Sequence, residues 1–78
     1  MSTVRVFVAP GCHLCEAALE VVESVCSKLG EAFEVVDIEG DPVLESRYRE
    51  RLPVVEVDGE EAFTYYVDRD ALRERITA

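Results

Sequence analysis

The first apolar segment of the chain has the two-residue period of a β-strand. Val4, Val6 and Val8 occupy alternate positions within residues 3–9, and Phe7 makes the opposite face partly apolar as well. Strands that are apolar on both faces are typical of α/β sheets, where helices cover them from both sides. The pattern therefore predicts a buried strand over these residues.

The next segment has the three- and four-residue spacing of an amphipathic helix. Apolar residues recur at this spacing between Cys12 and about Leu29, and most charged residues fall between them. Gly30 follows directly, and glycine is a frequent residue just beyond a helix C-terminus. We expect a helix from Cys12 to about Leu29 that buries one face.

A second strand and a second helix are predicted next. Residues 33–38 have the composition of a strand. Asp41 is a typical N-cap residue, and Pro42 is typical of the first helical position. This helix should end near Arg51, because Pro53 pushes the residue before it out of helical geometry.

The last part of the chain is predicted to form a hairpin and a third helix. Residues 54–57 and 62–66 flank a turn that contains Asp58-Gly59, a frequent dipeptide in tight hairpins. Asp68 follows the hairpin, and its side chain is well suited to cap a short helix.

The predicted elements follow the order β-α-β-α-β-β-α. Helical crossovers place the first two strands parallel and adjacent with a right-handed connection, whereas the tight turn makes the last two strands antiparallel. The predicted fold class is therefore α/β, with one mixed four-stranded sheet and helices on both faces. With 78 residues and no linker or repeat, residues 1–78 are expected to form one domain.

Composition and charge argue against several classes of function. Hydrophobic residues make up 49% of the chain, which is too many for an intrinsically disordered protein. The formal net charge is -9, with 17 acidic against 8 basic residues, so we expect no nucleic-acid partner. No apolar run approaches the roughly 20 residues of a membrane span, and the N-terminal residues lack a signal-peptide pattern. We therefore expect a cytoplasmic protein without a membrane partner.

Two cysteines lie where the first strand is followed by the first helix, in the stretch APGCHLC of residues 9–15. Three explanations compete: a reactive dithiol, half of a metal site, or two small apolar side chains that are close by chance. Cysteines of reducing compartments more often serve redox or metal chemistry than structural disulfides.

The placement of the two cysteines suits thiol chemistry. A sulfur of Cys12 at a helix N-terminus faces free N–H groups, which favour the thiolate. Gly11 has no side chain to block a partner sulfur. Cys15 lies one helical turn later on the same edge, where it is placed to resolve a mixed disulfide with Cys12.

A first strand, PGCHLC at the start of a helix, and LPVV before a D-G hairpin occur in this order along the chain. In this arrangement the whole chain resembles the glutaredoxin branch of the thioredoxin superfamily, close to small bacterial glutaredoxin-like proteins. The resemblance implies that Cys12 is the attacking thiol and Cys15 the resolving thiol. It also implies that Leu52-Pro53 is a cis peptide beside the dithiol, which leaves the preceding backbone free to pair with an extended substrate.

The chain departs from glutaredoxins at positions that hold glutathione. Ala9 stands where they usually carry a lysine, and Arg51-Leu52 stand where they have Thr-Val before the proline. The segment 64–67, Thr-Tyr-Tyr-Val, stands where a Gly-Gly pair lets the glutathione backbone dock. We expect no permanently bound cofactor, with glutathione or another thiol as the candidate reductant.

Several other residues have both a functional and a structural interpretation. His13 either stabilises the thiolate as an imidazolium or is a solvated residue of the first helical turn. Arg51, with Arg47 and Arg49 before it, either holds a substrate carboxylate or balances the helix acids Glu45 and Glu50. Asp68 matches an acid that follows the glycine pair of glutaredoxins, but it also serves as an N-cap. Cys26 is expected to be a buried apolar residue. The candidate substrate-binding residues are Gly11, His13, Arg51, Leu52, Pro53 and Asp68.

Three classes of function are open at this point. The first is a thiol-disulfide oxidoreductase that acts on protein or small-thiol disulfides through Cys12 and Cys15. The second is an iron-sulfur or metal protein in which Cys12 ligates across a dimer, since this chain alone cannot close a tetrahedral thiolate site. The third is a thioredoxin-fold adaptor with a vestigial dithiol. We favour the first: a monomer that receives electrons from a reductase or a thiol pool.

Overall fold

The architecture is that of a computed structural model, which describes residues 2–78; Met1 lies outside the described residues. The elements are β1 (Val4–Val8), α1 (His13–Leu29), β2 (Phe33–Asp37), α2 (Pro42–Tyr48), a 3₁₀ turn (Arg49–Arg51), β3 (Val54–Val57), β4 (Glu60–Thr64) and α3 (Arg69–Thr77). The predicted order of strands and helices is confirmed. Among residues 2–78, no helix combines the length and the hydrophobicity needed to cross a membrane.

The four strands form one mixed sheet in the order β2-β1-β3-β4. β1 runs parallel to β2 and antiparallel to β3, and β3 forms an antiparallel hairpin with β4. The two central strands are rich in valine because helices cover both faces of the sheet. The predicted α/β class and the mixed four-stranded sheet are therefore confirmed.

Apolar clusters lie on both faces of this sheet. The first cluster joins α1 and α3 to one face and contains Val4, Val6, Val22, Val25, Cys26, Val55, Val57, Leu72 and Ile76. The second joins α2 to the other face and contains Phe7, Ile38, Tyr48 and Val54. The rings of Phe7 and Tyr48 stack with their centroids 4.3 Å apart. Alternation along β1 thus sends its valines to α1 and Phe7 to α2.

The predicted helix caps are present. Gly30 has a φ of 70° and ends α1 in the left-handed conformation. The carboxylate of Asp41 accepts hydrogen bonds from two backbone N–H groups of α2, and that of Asp68 accepts one from Ala71 at 2.9 Å. α2 itself ends at Tyr48, and the chain reaches its proline through the 3₁₀ turn.

The last strand differs from its prediction. It spans Glu60–Thr64 rather than residues 62–66. Asp58 and Gly59 both have positive φ, at 54° and 83°, so the turn needs only these two residues and pairing resumes directly after them. At the other end, Tyr65 has a φ of 65°, which interrupts the extended conformation and ends the strand.

Candidate dithiol site

Cys12 is the N-cap residue of α1, four residues after the end of β1. Its backbone is extended, and its Sγ accepts a hydrogen bond from the N–H of Cys15 at 3.1 Å. The sulfur therefore takes the position that a serine or aspartate oxygen has in an ordinary N-cap. A backbone donor and the positive end of the helix both favour a negative charge at this position.

Cys12 and Cys15 are joined by a disulfide, with their α-carbons 5.2 Å apart. This spacing lies within the range that protein disulfides adopt. Cys15 is only 3% exposed, whereas Cys12 is partly exposed. A sulfur that arrives from solvent thus reaches Cys12 more readily than Cys15.

Gly11 precedes the dithiol with a φ of 77°, a conformation that side-chain-bearing residues rarely adopt. A Cβ at this position would meet no atom within 4 Å. The backbone conformation, rather than crowding within the protein, accounts for the glycine here.

Leu52-Pro53 is a cis peptide bond, as the resemblance implied. Pro53 is buried and leads into β3, whose Val54 is paired with Phe7 of β1. This antiparallel register places the start of β3 beside the end of β1, where the chain leaves the sheet toward Cys12. The topology thus brings the proline and the dithiol to the same edge of the molecule.

Tyr65 ties the end of the hairpin to this proline segment. Its backbone N–H donates to the carbonyl of Pro53 at 3.0 Å, and its hydroxyl donates to the carbonyl of Glu50 at 2.7 Å. Tyr66 N–H donates to the carbonyl of Thr64 at 2.7 Å, which makes a γ-turn around Tyr65. Sequence reasoning identified Tyr65 only by what it replaces. No sequence pattern predicts its positive φ or its hydrogen bond to Glu50 of the 3₁₀ turn.

His13 lies on the solvent side of the first turn of α1. Its side chain is 95% exposed, and its Nδ1 lies 3.4 Å from a carboxylate oxygen of Glu16. The imidazole therefore has an acidic neighbour on its own helix, in the arrangement of a solvated surface residue.

Arg51 is held by contacts within the protein. Its guanidinium donates to the carboxylate of Glu61 and to the carbonyl of Arg47, and lies 5.6 Å from the ring centre of Tyr48. The hydrogen bond between Arg51 and Glu61 raises the pKa of the arginine and lowers the pKa of the glutamate. Arg49 pairs with Glu45, as charge balance along the helix predicts, whereas Arg51 pairs across to β4. A ligand carboxylate must displace Glu61 to use Arg51.

Cys26 is fully buried in the cluster between α1 and the sheet, so the prediction of a buried apolar cysteine is confirmed. Burial, together with the nearby charge of Glu31, raises the pKa of the Cys26 thiol. Within residues 2–78, no three His, Cys, Asp or Glu side chains are grouped so that they would share a metal ion.

An apolar groove lies beside the dithiol helix. It has a volume of about 120 Å³ and runs between Leu14, Ala17 and Val21 of α1 and the segment from Tyr65 to Val67. Tyr66, which is 76% exposed, also lines this groove. Tyr65 and Tyr66 therefore line the same groove as Leu14 of the motif.

Comparison with known families relates this dithiol to other proteins. Residues 3–77 match the family described as glutaredoxin-like domain (DUF836). The chain belongs to this glutaredoxin-like family. An uncharacterized protein of Mycobacterium tuberculosis is 32% identical over 75 residues, which are 90% of this chain and 77% of that protein.

Solved structures support the same affiliation for this glutaredoxin-like chain. The X-ray structure of a structural-genomics target protein from X. campestris has a TM-score of 0.78 and 28% identity and covers 95% of both chains. A thioredoxin from Fasciola hepatica has a TM-score of 0.65 and 26% identity, over 97% of this chain and 78% of that one. The glutaredoxin-like chain therefore has the thioredoxin fold, and its cysteine pair lies at disulfide distance.

Proposed function

We propose that this glutaredoxin-like protein is a thiol-disulfide oxidoreductase in which Cys12 attacks a substrate disulfide and Cys15 resolves the intermediate. One observation carries the proposal: a partly exposed Cys12 Sγ accepts a hydrogen bond from the N–H of Cys15, while Cys15 itself is buried directly beneath it. The sulfur of Cys12 is therefore both accessible and placed where a thiolate is stabilised. The sulfur of Cys15 is close enough to form a disulfide with it.

The first step forms a mixed disulfide. The Cys12 thiolate attacks one substrate sulfur, the substrate S–S bond breaks, and the other substrate sulfur leaves as a thiolate that takes up a proton. The N–H of Cys15 donates to Cys12 Sγ in the disulfide state, and we propose that the same donor stabilises the thiolate before the attack.

The second step releases the product. The Cys15 thiol gives up its proton, its sulfur attacks Cys12 Sγ, and the remaining substrate sulfur leaves as a thiol. Two electrons have then passed from the dithiol to the substrate, and the protein is in the Cys12–Cys15 disulfide state that the structure describes. Two electrons from an external thiol or a reductase return it to the dithiol. We propose that this cycle runs in the cytoplasm, in a monomer.

The substrate class that we propose is an extended polypeptide with a disulfide, in preference to glutathione mixed disulfides. Leu52 is extended, with φ -67° and ψ 144°, and precedes the cis proline, so its backbone is suited to pair with a strand-like segment. Gly11, directly before Cys12, has no side chain that could block an approaching substrate. Tyr65 denies the close backbone approach that a glycine would allow, which disfavours glutathione.

His13, Arg51 and Asp68 are proposed as weaker contributors to substrate binding. Arg51 must first release Glu61, and Asp68 must share the carboxylate that caps α3. His13 has no such commitment beyond the solvent-exposed contact with Glu16. We therefore expect substitutions at these three positions to change turnover less than substitutions at the dithiol.

Reduction of insulin with dithiothreitol as the electron source tests this function. Wild type should accelerate the reduction, Cys12→Ser should abolish the acceleration, and Cys26→Ala should retain it as a matched control that leaves the dithiol intact. Wild-type protein without activity would favour the adaptor, and Cys12→Ser with wild-type rates would refute the assigned nucleophile. Iron and zinc analysis of the purified protein separates the oxidoreductase from a metal-binding protein.

A further inference from the structure

Only some of the basic residues of this acidic chain form ion pairs. Of its 8 lysines and arginines, four form ion pairs with acidic side chains: Arg5, Arg49, Arg51 and Arg75. Arg47 lies over the ring of Tyr48, 5.3 Å from its centre. The other three form no ion pair with any of residues 2–78, and all three line one cavity: Lys28, Arg69 and Arg73.

This cavity lies between the C-terminal half of α1 and the first turns of α3. Its volume is about 200 Å³, its apolar floor consists of Val25 and Leu29, and one acid, Asp70, also lines it. Arg69 is oriented along α1 by a hydrogen bond from its Nη1 to Ser24 Oγ at 2.7 Å. Three positive charges and one negative charge leave the cavity with a net charge of about +2.

Positive charges are concentrated in this cavity. Arg69 and Arg73 are four residues apart on α3, where like charges repel each other and destabilise a helix. Lys28 adds a third positive charge from α1, although acidic residues outnumber basic ones by 17 to 8 in the chain. An anion in the cavity would turn this repulsion into attraction.

We propose that the cavity formed by Lys28, Arg69 and Arg73 binds a small dianion of the phosphate-monoester class. A phosphate monoester carries about two negative charges near neutral pH, which complements the net charge of the cavity. Arginine forks match phosphate oxygens, and lysine adds a compact positive charge. Leu29, which is half-buried, offers apolar contact for a small organic group beside the exposed charged side chains of Lys28, Arg69 and Arg73.

The proposed anion site is remote from the dithiol. Lys28 follows Cys15 by thirteen positions on α1 (28 minus 15), which corresponds to about 20 Å along a helix. The site shares no residue with the dithiol, and its occupancy is measured by binding rather than by turnover.

NMR tests the proposal. The isotopically labelled protein is titrated with each anion at constant ionic strength, slightly above pH 7, and its amide signals are followed. The probes are inorganic phosphate and phenyl phosphate, with acetate and chloride as monoanion controls. We expect saturable shifts at amides of residues 24–29 and 69–73, tighter binding of phenyl phosphate, and no saturable shifts with the monoanions. Absence of saturation with both phosphates, or equal shifts with acetate, would overturn the proposal.

Charge-matched variants locate the binding. Arg73→Gln should raise the dissociation constant of phenyl phosphate about two- to five-fold, as expected for the loss of one exposed charge contact. Arg75→Gln removes the same charge from the same helix, and its partner is Glu60, so it should leave the constant nearly unchanged. Lys28→Gln supplies a second variant on the other helix. Equal effects of Arg73→Gln and Arg75→Gln would show non-specific attraction and refute the site.

Discussion

The hydroxyl of Tyr65 donates a hydrogen bond to the carbonyl of Glu50 at 2.7 Å, across fifteen positions of sequence. The same residue bonds through its backbone N–H to Pro53, so it holds the hairpin end against the segment that leads to the cis proline. It also stands where the resemblance to glutaredoxins places the first residues of a glycine pair. Tyr65 therefore supports the proline segment, and we propose that it also restricts the approach of glutathione.

Tyr65→Phe should weaken the attachment of the hairpin end to the segment before the cis proline. The substitution removes the hydroxyl but keeps the ring, so we expect a loss of about 0.5 to 1.5 kcal/mol in the free energy of unfolding, the usual net value of one hydrogen bond. Chemical denaturation measures this loss. Tyr66→Phe is the matched control, since Tyr66 is 76% exposed, and it should change stability very little. Equal stabilities of the two variants would show that the hydroxyl contact contributes nothing.

Tyr65→Gly should open the site to glutathione. Glycine adopts a φ of 65° without strain and leaves space for a peptide backbone to approach. We expect glutathione-coupled turnover to rise several-fold over wild type, while the same change at Tyr66, which lies outside the positive-φ position, should give a smaller gain. A wild type that already shows efficient glutathione-coupled turnover, unchanged in Tyr65→Gly, would contradict this assignment.

The elements with strong periodicity were predictable from sequence, whereas the contacts that shape the site were not. Val4, Val6 and Val8 alternate and α1 repeats every three to four residues, so both elements follow from local patterns. Tyr65 has a conformation that tyrosine rarely adopts, imposed by tertiary bonds to Pro53 and Glu50.

The partners of the arginines were likewise only partly predictable from sequence. Charge spacing along the helix favoured Glu45 and Glu50 as partners of the arginines, and Arg49 does pair with Glu45. Arg51 instead pairs with Glu61, ten positions away on β4, because the hairpin turns back toward the 3₁₀ turn. Such a pairing depends on the register between β3 and β4. The sequence predicted a longer loop between these strands, whereas the turn has only two residues and Val57 pairs directly with Glu60.

The Arg51–Glu61 pair makes a pH-dependent contribution to stability. Its hydrogen bond lowers the pKa of Glu61 in the folded protein relative to the unfolded chain. The contribution is therefore present above the ordinary pKa of glutamate and is lost as pH falls through the lowered folded value. Both side chains are solvated, so the effect should be small. Thermal unfolding as a function of pH should show a shallower acid-side decline in Glu61→Gln than in wild type; parallel curves would contradict the assignment.

The three cysteines should differ strongly in reactivity. In the reduced protein near pH 7, iodoacetamide should modify Cys12 first, because it is partly exposed and its sulfur accepts a backbone hydrogen bond. Cys26 should react last, since it is fully buried and burial raises its pKa. Peptide mapping by mass spectrometry measures the three rates. Similar rates would remove the case for an activated nucleophile.

Trapping of the mixed disulfide tests whether Cys12 attacks the substrate and Cys15 resolves the intermediate. Reduced Cys15→Ser is mixed with a disulfide-bearing polypeptide such as insulin, and the products are identified by mass spectrometry without reductant. We expect a covalent complex through Cys12 that dithiothreitol releases, whereas wild type should yield the Cys12–Cys15 disulfide and no lasting complex. A complex through Cys26, or none in Cys15→Ser under conditions in which wild type reduces the substrate, would contradict the roles assigned to Cys12 and Cys15.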